Sequence, residues 1–101
     1  MAKELRKLVT IVTEAVLEVE LCDLILELGG GGFTVTNARG SGSRGVRDAG
    51  WSSSSNVRIE VVCSEAVAES LSARLREQYY EHYAMILFES DVNVLRPEKF
   101  G

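Results

Sequence analysis

The chain has 101 residues, 46% of them hydrophobic, enough for one modest core that would gain from burying a further face in an oligomer. A formal net charge of −4 removes the basic footprint of a general nucleic-acid binder, and no apolar run approaches membrane-spanning length. No basic leader precedes an apolar segment, so the chain reads as a cytoplasmic, non-membrane protein over residues 1–101.

In chain order, Leu5 to Val12 alternates as a strand, with Leu5, Lys7, Val9 and Ile11 opposite Arg6, Leu8, Thr10 and Val12. Thr13 is placed to cap the helix that follows, and Glu14 suits its positive N-terminal end. Leu17, Leu21, Leu24 and Leu28 keep the spacing of a buried helical stripe, while Glu14, Glu18, Glu20, Asp23 and Glu27 read as a solvated face. The run Gly29 to Gly32 stops the helix, and a second strand follows over Phe33 to Ala38. Between Arg39 and Ser55 neither periodicity holds.

Alternation returns in a third strand, Asn56 to Cys63, with Val57, Ile59 and Val61 opposite Arg58, Glu60 and Val62. Ser64 caps a second helix whose stripe is Val67, Leu71, Leu75 and Tyr79. The last strand reads as Tyr83 to Glu89, followed by a 91–101 tail that adds a short extended piece before Pro97. Strand-helix-strand, loop, strand-helix-strand is a split β-α-β repeat: an α+β, ferredoxin-like fold. It has a four-stranded antiparallel sheet and two helices on one face. Leu8, Val12, Val62 and Leu87 make the open face too apolar for water, so self-association is expected to cover it.

The 39–55 loop exceeds the roughly 12–15 residues beyond which structureless connections are uncommon and tend to be functional. It is expected to be mobile and to order on ligand binding. Within it, Arg39, Arg44 and Arg47 lie among glycines and serines, a composition suited to cradling phosphate or carboxylate oxygens. Gly40 to Gly45 formally matches a dinucleotide-binding glycine pattern, but a strand rather than a helix comes next, and that reading fails. An RNA-recognition sheet is rejected too, because Arg6, Leu8, Thr10, Arg58, Glu60 and Val62 include no aromatic for stacking bases.

No nucleophile motif is present, so no catalytic residue is assigned, and His82 reads as a helix-end residue. As the only histidine, with Cys22 and Cys63 far apart inside apolar patterns, it leaves neither a metal site nor a disulfide framework. Trp51 has two readings, an anchor for a partner or a side chain packed on its own domain.

Gly32-Phe33-Thr34-Val35-Thr36-Asn37-Ala38-Arg39-Gly40-Ser41-Gly42, with Val57-Arg58-Ile59-Glu60-Val61-Val62 after the loop, resembles the PII signalling proteins. Lys7 to Glu14, Gly42 to Arg47 and Tyr79 to Ala84 look most like the PII-like group of inorganic-carbon uptake. That resemblance makes 39–55 a T-loop and implies a homotrimer with adenine nucleotides in intersubunit clefts. Its site would use Gly32, Phe33 and Thr34 at the loop base, Gly40, Ser41 and Gly42 near the phosphates, Val62 on the next strand, and Arg96 as a phosphate-binding arginine. Ser43, Arg44 and Arg47 would hold phosphate or bicarbonate.

The glycine-lysine pair that grips distal phosphates in PII proteins is replaced by Ala84-Met85, which favours AMP, ADP or cyclic AMP over ATP. No tyrosine lies between Arg39 and Asn56 for uridylylation, and the chain ends without the cysteine-bearing tail of some transporter partners. The implied function is a non-enzymatic sensor of adenylates and bicarbonate that signals to a bicarbonate transporter or carboxysome-associated protein. The alternative from another class is an acyl-phosphate hydrolase with an arginine anion clamp, which a flexible glycine-rich loop serves poorly. A trimeric metal-tolerance protein of similar fold is disfavoured by the scarcity of histidine.

Overall fold

The computed structural model describes residues 3–40 and 55–100. Strand β1 (Glu4–Glu14) leads through a 3₁₀ turn (Ala15–Leu17) into α1 (Glu18–Glu27), and β2 (Thr34–Ala38) follows. After the 41–54 segment come β3 (Asn56–Cys63), α2 (Glu65–Gln78), β4 (Met85–Val94) and a final 3₁₀ turn (Pro97–Lys99). The strands lie in the order β2-β3-β1-β4, and each neighbouring pair is antiparallel. This is the ferredoxin-like sheet expected from the order of elements. Among the described residues no helix is long and apolar enough to cross a membrane.

The core follows from strand parity. Val9 and Ile11 of β1 and Val57, Ile59, Val61 and Cys63 of β3 point to one face, where Leu21, Leu24 and Ile25 of α1 and Ala68, Leu71 and Leu75 of α2 cover them. Both helices therefore sit on one side of the sheet. Ser64 caps α2 as its position suggests, its Oγ accepting from Val67 N at 3.2 Å. At the end of α1, Gly29 adopts φ +104°; its N–H bonds Leu26 O and that of Gly30 bonds Ile25 O, closing the helix with paired reverse bonds. Cys22 and Cys63 are free, buried thiols, and burial pushes both thiol pKa values up.

Local expectations needed correction in three places. Thr13 caps no helix: it ends the core face of β1, fully buried, and its Oγ1 donates to Ala84 O at 2.8 Å. Glu14 does not serve the helix end either; its carboxylate accepts from Ala84 N at 2.7 Å. A tertiary partner has displaced the local one, and β1 runs on to Glu14 as a result.

The last strand starts and ends later than its apolar run suggests, so Tyr83 precedes it and Asp91–Val94, read as tail, pairs with Glu4–Lys7. Leu87 consequently packs against the core, opposite Ile11, and leaves the open face to Ile86 and Phe88. A single step of register exchanges the two faces of a strand.

Candidate functional site

The face opposite the helices carries Leu8 and Thr10 of β1, Glu60 and Val62 of β3, and Thr34 of β2, with Thr34 paired to Glu60 and Leu8 to Val62. Glycine is needed just before β2. A Cβ on Gly30 would lie 2.6 Å from Ile25 Cγ2, and one on Gly31 would lie 3.3 Å from Lys99 O. The chain thus enters β2 pressed between the end of α1 and the Pro97–Lys99 turn.

These elements enclose an open groove of about 610 Å³. Leu8, Glu60 and Val62 of the sheet form its floor, and Gly31, Gly32, Phe33 and Thr34 line it together with Lys99 and Phe100 of the adjoining turn. Leu8 and Val62, with the Glu60 carboxylate and further polar groups around them, suit a flat heterocycle joined to a polar tail. Glu60 Oε2 accepts from Arg58 Nη2 at 3.2 Å, so the floor carboxylate is held in place by its neighbour on the strand. Lys99, exposed, is the cation among the described lining residues.

Of the residues singled out from sequence, Gly32, Phe33, Thr34 and Val62 meet in this groove. Gly40 lies beyond β2, exposed, and Arg96 lies exposed at the start of the final turn; neither lines the groove. Ser41, Gly42, Ser43, Arg44, Arg47 and Trp51 fall outside the described residues. Leu8, Gly31, Glu60, Lys99 and Phe100 also line it and are not assigned to a site by the sequence reading. Strand alternation alone places Leu8 and Glu60 beside Val62, so that signal was present. Nothing local announces Lys99 or Phe100, because their place depends on Arg6 at the other end of the chain.

A second constellation sits at the far end of β1. Thr13 and Glu14 hold both main-chain groups of Ala84, and Ala15 N donates to Ser55 O at 2.8 Å. One tripeptide therefore fastens both the segment ahead of β4 and the residue that leads into β3.

The sequence model of the nitrogen regulatory protein P-II family matches residues 6–99, almost the whole chain. The chain belongs to that family. Among solved structures, this P-II member is 44% identical to a PII-like signalling protein of Thermus thermophilus, with a TM-score of 0.85 and all of both chains covered. It also superposes, with a TM-score of 0.85 at 23% identity over 99% of this chain and 98% of the other, on CPII of Thiomonas intermedia bound to ADP and bicarbonate. Bacillus subtilis GlnK in complex with ATP is further off, with a TM-score of 0.58 at 18% identity over 89% of this chain and 85% of the other.

Proposed function

We propose that this P-II chain, a single domain over residues 1–101, is a non-enzymatic, cytoplasmic regulator that binds AMP or ADP, with bicarbonate, and reports inorganic-carbon and energy status through its 39–55 T-loop. The observation that carries the reading is the convergence of Gly32, Phe33, Thr34 and Val62 in one groove that offers both apolar and polar lining groups. Adenine lies against Leu8, Phe33 and Val62, and the phosphates run toward Gly40, Ser41 and Gly42. Ser43, Arg44 and Arg47 hold bicarbonate or phosphate, and Arg96 contributes a further phosphate-binding cation. CPII, a family relative of the same fold, is found with ADP, AMP and bicarbonate, which supports the ligand class.

A preference for short phosphate chains has support in the structure. Met85 brings no ammonium, and the Ala84 N–H is already bonded to the Glu14 carboxylate, a negative charge that disfavours a further phosphate there. Cyclic AMP meets the same demand for few phosphates.

The active form is a homotrimer. Ile86 and Phe88 are about half exposed on the open face, and Thr10 Oγ1 is buried there without a hydrogen-bond partner among the described residues. Further copies packed on this face would bury the one and partner the other. The protein target, a bicarbonate transporter or carboxysome-associated protein, docks on the ligand-ordered loop. Adenylate and bicarbonate reinforce each other because each reduces the ordering cost left to the other. Calorimetric titration of ADP into Arg44→Ala and Arg47→Ala, with and without bicarbonate, tests the anion site. Loss of the bicarbonate effect in either variant supports the assignment, and an undiminished effect in both contradicts it.

A further inference from the structure

The groove's outer wall is the Pro97–Lys99 turn with Phe100, and among the described residues its side-chain hydrogen bonds to the sheet come from Arg6. Arg6 Nε donates to Phe100 O at 2.9 Å and Nη2 to Pro97 O at 3.4 Å. Its remaining nitrogen, Nη1, bonds Leu5 O at 2.9 Å and Glu4 Oε1 at 3.1 Å. A guanidinium is a rigid fork of donors, and here the fork spans β1 and the turn at once.

Beyond those bonds the turn abuts Gly31 through the Lys99 carbonyl. Its internal bonds are Lys99 N to Arg96 O at 3.0 Å and Phe100 N to Pro97 O at 3.1 Å, and Leu95, Arg96, Glu98 and Lys99 are exposed. A single exposed turn of this kind frays unless it is tied down. Yet Lys99 and Phe100 line the groove together with Gly31 to Thr34, and this part of the wall stands only while the turn is held.

We propose that Arg6 is a positioning residue for the ligand site: it fastens the 97–100 turn as the groove's outer wall, and through it presents Lys99 as the cation for a phosphorylated ligand. This rests on the functional reading above, with ADP as the ligand. Ligand occupancy and order of the turn are then thermodynamically linked, so whatever loosens the turn weakens binding and ligand in turn protects the turn.

The test is calorimetric ADP titration combined with amide hydrogen exchange on the full chain. Four proteins are compared: unaltered, Arg6→Ala, a variant lacking residues 97–101, and the two changes combined. The expected result is ADP binding weakened about tenfold by Arg6→Ala, as for loss of charge-assisted bonds, and by a similar factor in the shortened chain. Combined, the changes are expected to weaken binding no further than the deletion alone, a non-additivity that a general loss of stability does not produce. In the unaltered protein ADP slows exchange at residues 98–100; in Arg6→Ala those amides exchange fast with or without it.

Binding by Arg6→Ala equal to that of the unaltered protein overturns the inference while leaving the functional reading intact. If Arg6→Ala fails to fold, undiminished binding by the shortened chain, in which β1 is untouched, overturns it equally. Absence of ADP binding by the unaltered protein overturns the functional reading, and this inference with it.

Discussion

Glu14 and Ala84 are joined by a 2.7 Å bond from the Ala84 N–H to the Glu14 carboxylate, across a sequence separation of 70 residues. The Ala84 carbonyl is taken by Thr13, so a residue 8% exposed has both its main-chain groups satisfied by side chains of β1. Secondary structure would ordinarily do this, but Ala84 precedes β4 and has no ladder partner of its own. Under the proposed function, the Glu14 carboxylate also stands where a distal phosphate would be gripped.

Glu14→Ala leaves the Ala84 N–H without its acceptor and is expected to destabilise the protein by about 1–3 kcal/mol. Glu14→Gln keeps an acceptor at the same place, so its melting temperature stays close to that of the unaltered protein. Without the charge, however, its preference for ADP over ATP narrows. Thermal melts of both variants, with ADP and ATP titrations of Glu14→Gln, check the two halves separately.

Gly30 and Gly32 are close in the chain and have opposite demands. A Cβ at Gly30 lies 2.6 Å from a methyl group of buried Ile25 and 3.1 Å from its carbonyl oxygen, whereas one at Gly32 meets no heavy atom within 4 Å. Gly30→Ala is therefore expected to destabilise by about 1–3 kcal/mol through overpacking. Gly32→Ala should change stability by less than about 0.5 kcal/mol while weakening ADP binding, because Gly32 lines the groove. Melting curves and calorimetry on the two variants separate a folding glycine from a ligand glycine.

Tyr79 ties the two helices together. Its hydroxyl donates to Glu20 Oε2, its ring leans on Tyr83 with centroids 5.9 Å apart, and burial together with the Glu20 bond pushes its pKa up to about 12. The folded state favours the neutral phenol. Its contribution is therefore fully present below the unfolded value near pH 10 and is lost as pH rises toward 12. Denaturant unfolding of the unaltered protein and Tyr79→Phe between about pH 8 and pH 11.5 should show an advantage for tyrosine that shrinks above about pH 10. Taking the difference cancels the groups common to both proteins.

The sheet was legible because β1 and β3 alternate cleanly, with Val9 and Ile11, and Val57, Ile59 and Val61, marking one face. The apolar run Met85-Ile86-Leu87-Phe88 carries no such contrast, so neither the start of β4 nor the face of Leu87 was written in it. Parity brought Val62 into the site and pointed equally to Leu8 and Glu60, whose neighbourhood only the assembled sheet discloses. Thr13 looked like a cap because capping is a local cue, and its actual partner, Ala84, is 71 residues away. The outer wall was the least readable part: Lys99 and Phe100 join the groove through Arg6, which no spacing rule connects to them.

The measurement closest to the central claim is calorimetric titration of the unaltered protein with ADP, AMP, cyclic AMP and ATP, each with and without bicarbonate. The predicted result is ADP and AMP binding that is tighter than ATP binding and is strengthened by bicarbonate. Absence of adenylate binding in every condition would contradict it, leaving a P-II fold whose groove and loop recognise protein alone.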